Sequence, residues 1–201
     1  MTVGVVRVLL VRHAQSEWNA DGRWQGWADP PLSKAGTEAC WAAADDPSLD
    51  DLEVAVASDL DRARTTAATI AARREWPPVE IMRGLRERGA GAWTGLTRTE
   101  IEDRWPGALR HSPADIPDGE SVGAVTARAV VALHRIAELF PDAGVLAVSH
   151  GALIRALEHH LGVAVASVPN LGGRWIEIAD GQLRAGPLAG PLGKASLERT
   201  G

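Results

Sequence analysis

The chain has 201 residues, 45% of them hydrophobic, and a net charge of −5. That length suits one domain with a sizeable core, and the acidic balance excludes a general attraction to nucleic acid, so any anion site has to be a local concentration of Arg and His. A single cysteine, Cys40, excludes an internal disulfide and fits a reducing cytoplasm; no apolar run approaches the ~20 residues of a membrane span, and the first apolar run is too short and too poorly flanked for a signal peptide.

Residues 3–11 are nearly continuously apolar, interrupted by Gly4 and Arg7, which suits a central strand covered on both faces. The run stops at Arg12-His13. Residues 12–31 lack periodicity and carry Trp18, Trp24 and Trp27, so they read as a loop with a short helical turn at 16–19. Ser33 caps a helix to about Ala44 that carries Cys40 as a packed thiol. The acidic stretch 45–51 reads as a solvated turn. Residues 52–57 form a second strand, 63–74 a helix broken by Trp76-Pro77-Pro78, and 79–82 a short third strand. Thr97 and Glu100 make a capping box for a brief helix to about Trp105, and 106–120 is irregular. Ser121 caps a long helix to about Phe140, apolar at Val125, Ala129, Ala132, Leu133 and Ile136. Residues 145–148 form a fourth strand and 152–161 a helix stopped by Gly162. Residues 175–178 and 182–184 make a hairpin around Asp180-Gly181. Residues 1–185 read as a single domain, and 186–201, rich in Gly, Pro and Ser, as a disordered tail. The alternation of strand and helix argues for an α/β sandwich with a mostly parallel central sheet.

In such a sheet the carboxyl edge of the strands is where ligands bind. Here it would carry Arg12-His13, Asp61-Arg62, Arg86-Glu87-Arg88 and His150-Gly151. Taken alone, Arg12-His13 fits a charged strand end facing solvent equally well. Taken together, these residues are the kit for phosphoryl transfer through a histidine. A neutral imidazole attacks phosphorus, guanidiniums hold its oxygens by bidentate hydrogen bonds, a second imidazole stabilises charge, and a carboxylic acid protonates the leaving oxygen.

Leu10-Val11-Arg12-His13-Ala14-Gln15-Ser16-Glu17-Trp18-Asn19 resembles the R-H-G-x-[ST]-x-x-N signature of the histidine phosphatase superfamily, the phosphoglycerate mutase-like proteins, with Ala14 where glycine is commoner. The likeness continues in order along the chain. Gly26 to Gly36 is similar to G-x-x-D-x-x-L-[ST]-x-x-G, and Ser58 to Ala67 to S-x-L-x-R-A-x-x-T-A. Leu85-Arg86-Glu87 with Gly91 to Leu96 is similar to L-x-E-x-x-x-G-x-W-x-G. Pro117 to Ser121 and Val148 to Gly151 resemble the P-x-G-E-S and V-[ST]-H-G boxes.

The resemblance implies a three-layer α/β/α sandwich of the phosphoglycerate mutase type and a metal-independent phosphomonoester hydrolase. His13 would be the nucleophile, forming a phosphohistidine. Arg12, Arg62 and His150 would hold the phosphoryl oxygens, with Asn19 and the Gly151 backbone assisting. Glu87 would protonate the leaving group and then activate water. Ser16 and Gln25 are expected to line the mouth of the pocket. No cofactor is implied. The implied partner is a small phosphorylated metabolite, a sugar phosphate or a phosphoglycerate, handled in the cytoplasm without nucleic acid or membrane, in a family of monomers, homodimers and tetramers. Physical chemistry agrees on one point: cations around His13 favour its free base, the attacking form.

Mutases of this type carry a longer insertion before the P-x-G-E-S box, whereas only a short stretch separates Trp93 from Pro117 here, which favours water access and hydrolysis over phosphoryl return. A cofactor-dependent phosphoglycerate mutase and a non-catalytic phospho-ligand binder are the alternatives. Asp59-Leu60-Asp61 resembles the D-x-D of haloacid dehalogenase-type phosphatases, but Lys34 and Lys194, the only lysines, are poorly placed for that site. His111, His134, His159 and His160 read as surface or packing residues. Trp18, Trp24, Trp27 and Trp93 suit core or rim packing as well as a pocket wall. Arg23, Arg83, Arg86 and Arg88 are candidate contacts to an anionic substrate.

Overall fold

A computed structural model describes residues 5–110, 115–165 and 167–194. The elements follow as β1 (Val6–Arg12), α1 (Glu17–Ala20), α2 (Lys34–Ala44), β2 (Val54–Ala57), α3 (Asp61–Arg73) and β3 (Glu80–Ile81). Then come α4 (Arg98–Arg104), α5 (Val122–Leu139), β4 (Gly144–Ser149), α6 (Gly151–His160), β5 (Gly173–Ala179) and β6 (Gln182–Ala189). Expectations that fall on Val3, Gly4, His111 and residues 195–201 lie outside the described residues.

The strands form one six-stranded sheet in the order β3-β2-β4-β1-β5-β6. β3, β2, β4 and β1 run parallel, and β5 returns antiparallel against β1. The alternation of a strand's side chains explains why β1 reads as continuously apolar. Val6, Val8 and Leu10 point into a core shared with α5 and α6. Leu9 and Val11 point into a second core shared with α2 and α3. Two helical layers therefore sandwich the sheet, and β1 lies at its centre.

The helices begin where the caps are. Ser33 accepts the Gly36 N–H, Ser121 accepts the Ala124 N–H, and Thr97 with Glu100 closes a reciprocal capping box on α4. The apolar stripe of α5, Val125, Ala129, Ala132, Leu133 and Ile136, is buried as its spacing requires. Cys40 is buried on α2, and burial pushes its thiol up to about 11, the behaviour of a packing residue.

Two expectations need correction. The acidic turn is not wholly solvated: Asp46 is buried, and its carboxylate accepts the N–H groups of Ser48 (2.9 Å) and Gly193 (2.8 Å). The segment from Gly186 does not begin a tail. β6 continues to Ala189 against β5, and Leu192 is buried beyond it. Its pairing groups lie on β5 and its anchor on Asp46, so no local pattern announces it; Pro187 is tolerated because β6 is an edge strand. The turn before it has Asp180 and Gly181 both at positive φ (51° and 69°), the type I′ geometry of a two-residue hairpin. Among the described residues, no helix is long and apolar enough to cross a membrane.

Close approach of backbones sets the register of the central strands. A Cβ on Gly173 would come within 1.9 Å of the Leu10 carbonyl oxygen, whereas one on Gly123, on α5, would meet nothing within 4 Å. Gly173→Ala should therefore destabilise the protein by about 1–3 kcal/mol or more. Gly123→Ala should be neutral or stabilising by about 0.4–1 kcal/mol. Urea unfolding midpoints of the two variants check this.

Candidate active site

The parallel register sets the ends of β1 and β4 side by side, with Arg12 opposite Ser149. The next residue on each chain segment is a histidine. His13 and His150 are both buried, with ring centroids 5.1 Å apart and planes tilted by 59°. The Nδ1 of His13 lies 2.6 Å from the Ala14 carbonyl oxygen, and its Nε2 lies 3.2 Å from Arg62 Nε. A carbonyl can only accept and a guanidinium can only donate, so the proton sits on Nδ1 and the lone pair on Nε2.

Arg62, in the first turn of α3, is 1% exposed. Its Nη1 and Nη2 donate to the carbonyls of Ala28 (2.7 Å) and Gly26 (2.8 Å). Helix α3 has Leu60 at its N-cap and so no side-chain cap of its own; Asp29 supplies one from the loop, accepting the Asp61 N–H at 2.8 Å. Arg12 donates to the Val168 carbonyl at 3.0 Å. Helix α6 also lacks a local cap, since His150 occupies that position. The Glu87 carboxylate fills the place instead, accepting the N–H groups of Arg88 (2.8 Å), Ala152 (3.2 Å) and Leu153 (3.2 Å). A carboxylate at a helix N-terminus is favoured by the dipole. Arg128 on α5 fixes the Glu87 segment by donating to the carbonyls of Gly84, Arg86 and Glu87 while pairing with Glu120.

These groups open onto a cavity of about 730 Å³. Arg12, His13, Asn19, Gln25, Arg62 and Glu87 line it. His150 is not in the lining, its ring lies 5.1 Å from that of His13, and neither of its ring nitrogens has a hydrogen-bond partner among the described residues. Ser16 does not reach the pocket mouth: it is fully buried, caps α1, and donates to Gln25 Oε1 at 3.0 Å. Gly151 also stays out of the lining and lets Arg12 and Arg155 close over it. Among the described lining residues Glu87 is the only carboxylate, and the guanidiniums of Arg23, Arg88, Arg98 and Arg155 join those of Arg12 and Arg62. A strongly basic cavity in an acidic protein is an anion site.

A family pattern described as the histidine phosphatase superfamily (branch 1) matches residues 8–179. The chain belongs to that superfamily. This histidine phosphatase is 36% identical over 197 residues to a glucosyl-3-phosphoglycerate phosphatase of Mycolicibacterium vanbaalenii, covering 90% of this chain and 87% of the relative. It is 35% identical over 178 residues to a 2,3-bisphosphoglycerate-dependent phosphoglycerate mutase of Methylobacterium radiotolerans, covering 82% and 83%. Its fold matches the solved structure of a mycobacterial glucosyl-3-phosphoglycerate phosphatase in complex with VO3, with a TM-score of 0.75 and 32% identity over 90% of this chain and 96% of that one.

Several residues of this histidine phosphatase sit elsewhere than their sequence context indicates. Arg83 and Arg86 are not in the cavity lining; Arg86 makes a two-pronged bond to Asp59 (2.6 and 2.7 Å), and Asp61 pairs with Arg64. The Asp59-Leu60-Asp61 motif is thus spent on ion pairs. Among the described residues no cluster of three His, Cys, Asp or Glu could hold a metal ion. Trp24 walls the cavity and stacks edge-on against the buried Trp93 at 5.1 Å. Trp27, outside the lining, donates to the Glu87 carbonyl at 2.7 Å. His159 lines the cavity and is not a bystander at the helix end. Ala152, Arg155, Ala156 and His159 share one face of α6, and their spacing was the available signal. Asn170 gave no such signal. It donates to the His13 carbonyl (2.8 Å) and to Asn19 Oδ1 (3.2 Å), from a turn in which Leu171 takes a φ of +61°.

Burial, then the charges of Arg62 and Arg12, hold His13 well below its ordinary pKa of 6.5. Burial and then Arg62 do the same to His150. Both are neutral in the folded protein, whereas each takes a proton near pH 6.5 when unfolded. The stability they permit is complete above pH 6.5 and is lost as pH falls below it, by up to about 1.4 kcal/mol per pH unit for each histidine. Urea unfolding from about pH 7.5 to about pH 5.5 should show this decline, and His150→Gln should remove roughly half of that slope.

Proposed function

We propose that this histidine phosphatase hydrolyses a small phosphorylated metabolite, a sugar phosphate or a phosphoglycerate, through a phosphohistidine on His13. The observation that carries this reading is the buried, neutral His13 on the wall of a basic cavity, with its Nε2 lone pair 3.2 Å from Arg62 Nε and the His150 ring 5.1 Å from its own. Nε2 attacks phosphorus as the ester P–O bond breaks. Arg12 and Arg62 hold the non-bridging oxygens, and His150, whose ring nitrogens have no partner among the described residues, meets the growing charge with its one ring N–H. Asn19, which lines the cavity, completes the hold on the phosphoryl group. Glu87 gives the departing oxygen its proton. Water then attacks phosphorus, Glu87 takes the water's proton, the P–N bond breaks and phosphate leaves.

Hydrolysis is favoured over phosphoryl return because the stretch of sequence between Trp93 and Pro117 is short, which favours access of water to the cavity. The one thiol, buried and unreactive, supports a reducing cytoplasm as the compartment.

Wild-type protein should hydrolyse p-nitrophenyl phosphate in EDTA and form an acid-labile phosphoprotein. His13→Ala should abolish the phosphoprotein and lower kcat by about 10⁴-fold or more. Glu87→Gln should lower kcat by about 10²–10⁴-fold on substrates with poor leaving groups. Conversion of 3- to 2-phosphoglycerate that depends on a bisphosphoglycerate primer would mark a mutase. Binding without any turnover across a panel of phosphomonoesters would mark a binder.

A further inference from the structure

The cavity is larger than a phosphoryl group needs, and its excess volume has a definite lining. Ala152, Arg155, Ala156 and His159 present one face of α6 to it over about two helical turns, roughly 10 Å. Val122 and Val165 also line it. The groups assigned above to the phosphoryl oxygens are Arg12, Arg62 and His150. Arg155 is not among them.

Three observations single out Arg155. Its guanidinium folds back over the start of its own helix beside Arg12: a Cβ placed on Gly151 would lie 3.2 Å from Arg155 Nη1 and 3.5 Å from Arg12 Cδ. The two cations feel each other, since the charge of Arg155 works against that of Arg12. Among the described residues Arg155 makes no hydrogen bond and no ion pair, whereas Arg12 and Arg62 donate to backbone carbonyls and Arg23 pairs with Glu100. The Glu87 charge partly offsets Arg12, but the exposed Arg155 makes no direct bond to any carboxylate among the described residues, so its fork of donors is open to an incoming anion. The oxygens of Glu87 bond the N–H groups of Arg88, Ala152 and Leu153 and none of them bonds Arg155.

We propose that Arg155, with His159 on the next turn of α6, forms a subsite for a second negative charge carried by the leaving group. The proposal rests on the phosphatase reading above. The leaving group lies along α6, its anionic group held by the Arg155 fork and its carbon skeleton against Ala152, Ala156 and Val122. A carboxylate or a second phosphate satisfies the same chemistry. The preferred substrates are therefore phosphomonoesters of acids or bisphosphates. A phosphorylated neutral alcohol of the same size binds more weakly.

The test compares matched substrates. 3-Phosphoglycerate releases an anionic alcohol and glycerol 3-phosphate a neutral one; fructose 1,6-bisphosphate and fructose 6-phosphate make the same comparison for a second phosphate. Wild type should favour the anionic member of a pair. In Arg155→Gln the ratio of kcat/KM between the members should fall by about tenfold or more, carried by KM, and Arg155→Lys should restore part of it. An unchanged ratio, or an equal loss on both members, would overturn the subsite; the equal loss would make Arg155 a clamp on the transferred phosphoryl group. If wild type hydrolyses none of these compounds, the phosphatase reading fails separately. Calorimetry on His13→Ala then decides the subsite: tighter binding of 3-phosphoglycerate than of glycerol 3-phosphate, lost when Arg155→Gln is added, supports it, and the absence of that preference refutes it.

Discussion

A buried guanidinium has to have its donors satisfied, and the way Arg62 satisfies them organises the site. It reaches the carbonyls of Gly26 and Ala28 and the Nε2 of His13 at once. One cation thereby ties α3 to the loop between α1 and α2 and to the end of the central strand. The same contacts determine the chemistry. A donor at Nε2 requires a lone pair there, and the positive charge beside a buried ring keeps His13 neutral. Packing and the protonation state of His13 are in this case set by a single interaction.

The two helices that bring charge to the site depend on carboxylates from elsewhere in the chain. Asp29 caps α3, which carries Arg62. Glu87 caps α6, which follows His150. Each carboxylate holds a helix end that would otherwise present unpaired N–H groups, and in doing so sets the cationic and acidic groups at fixed spacing. Arg128 then anchors the backbone on which Glu87 stands, and through Glu120 it joins the segment before α5 to the same assembly.

Much of this was legible beforehand. The strand-end residues Arg12, His13, Arg62, Glu87 and His150 stand at the ends of apolar runs or in ordered motifs, and parallel strands bring such ends to one edge. The caps at Ser33, Thr97 and Ser121 are local, so their helices start where the residues say. The misreadings share a cause. Ser16 looked like a pocket residue because its neighbours are, yet its hydroxyl is turned inward to Gln25. Asp46 looked solvated because its neighbours are charged, yet its partner Gly193 is distant in sequence. β6 lacks an apolar signature because an edge strand is held by its ladder with β5.

The order of residues alone determined the alternation of strand and helix, the covered central strand, and the set of charged and imidazole side chains at the strand ends, because each depends on short-range periodicity or on which groups stand where a strand stops. Only the tertiary structure decided which side chains face the cavity and which are spent elsewhere. Arg86 went to Asp59, while Arg98, Arg155 and His159 went to the wall. Asn170 came to support His13 from the far end of the chain. The physical reason is that a charge takes the partner nearest in space, and neither that partner nor its absence is written in the local sequence.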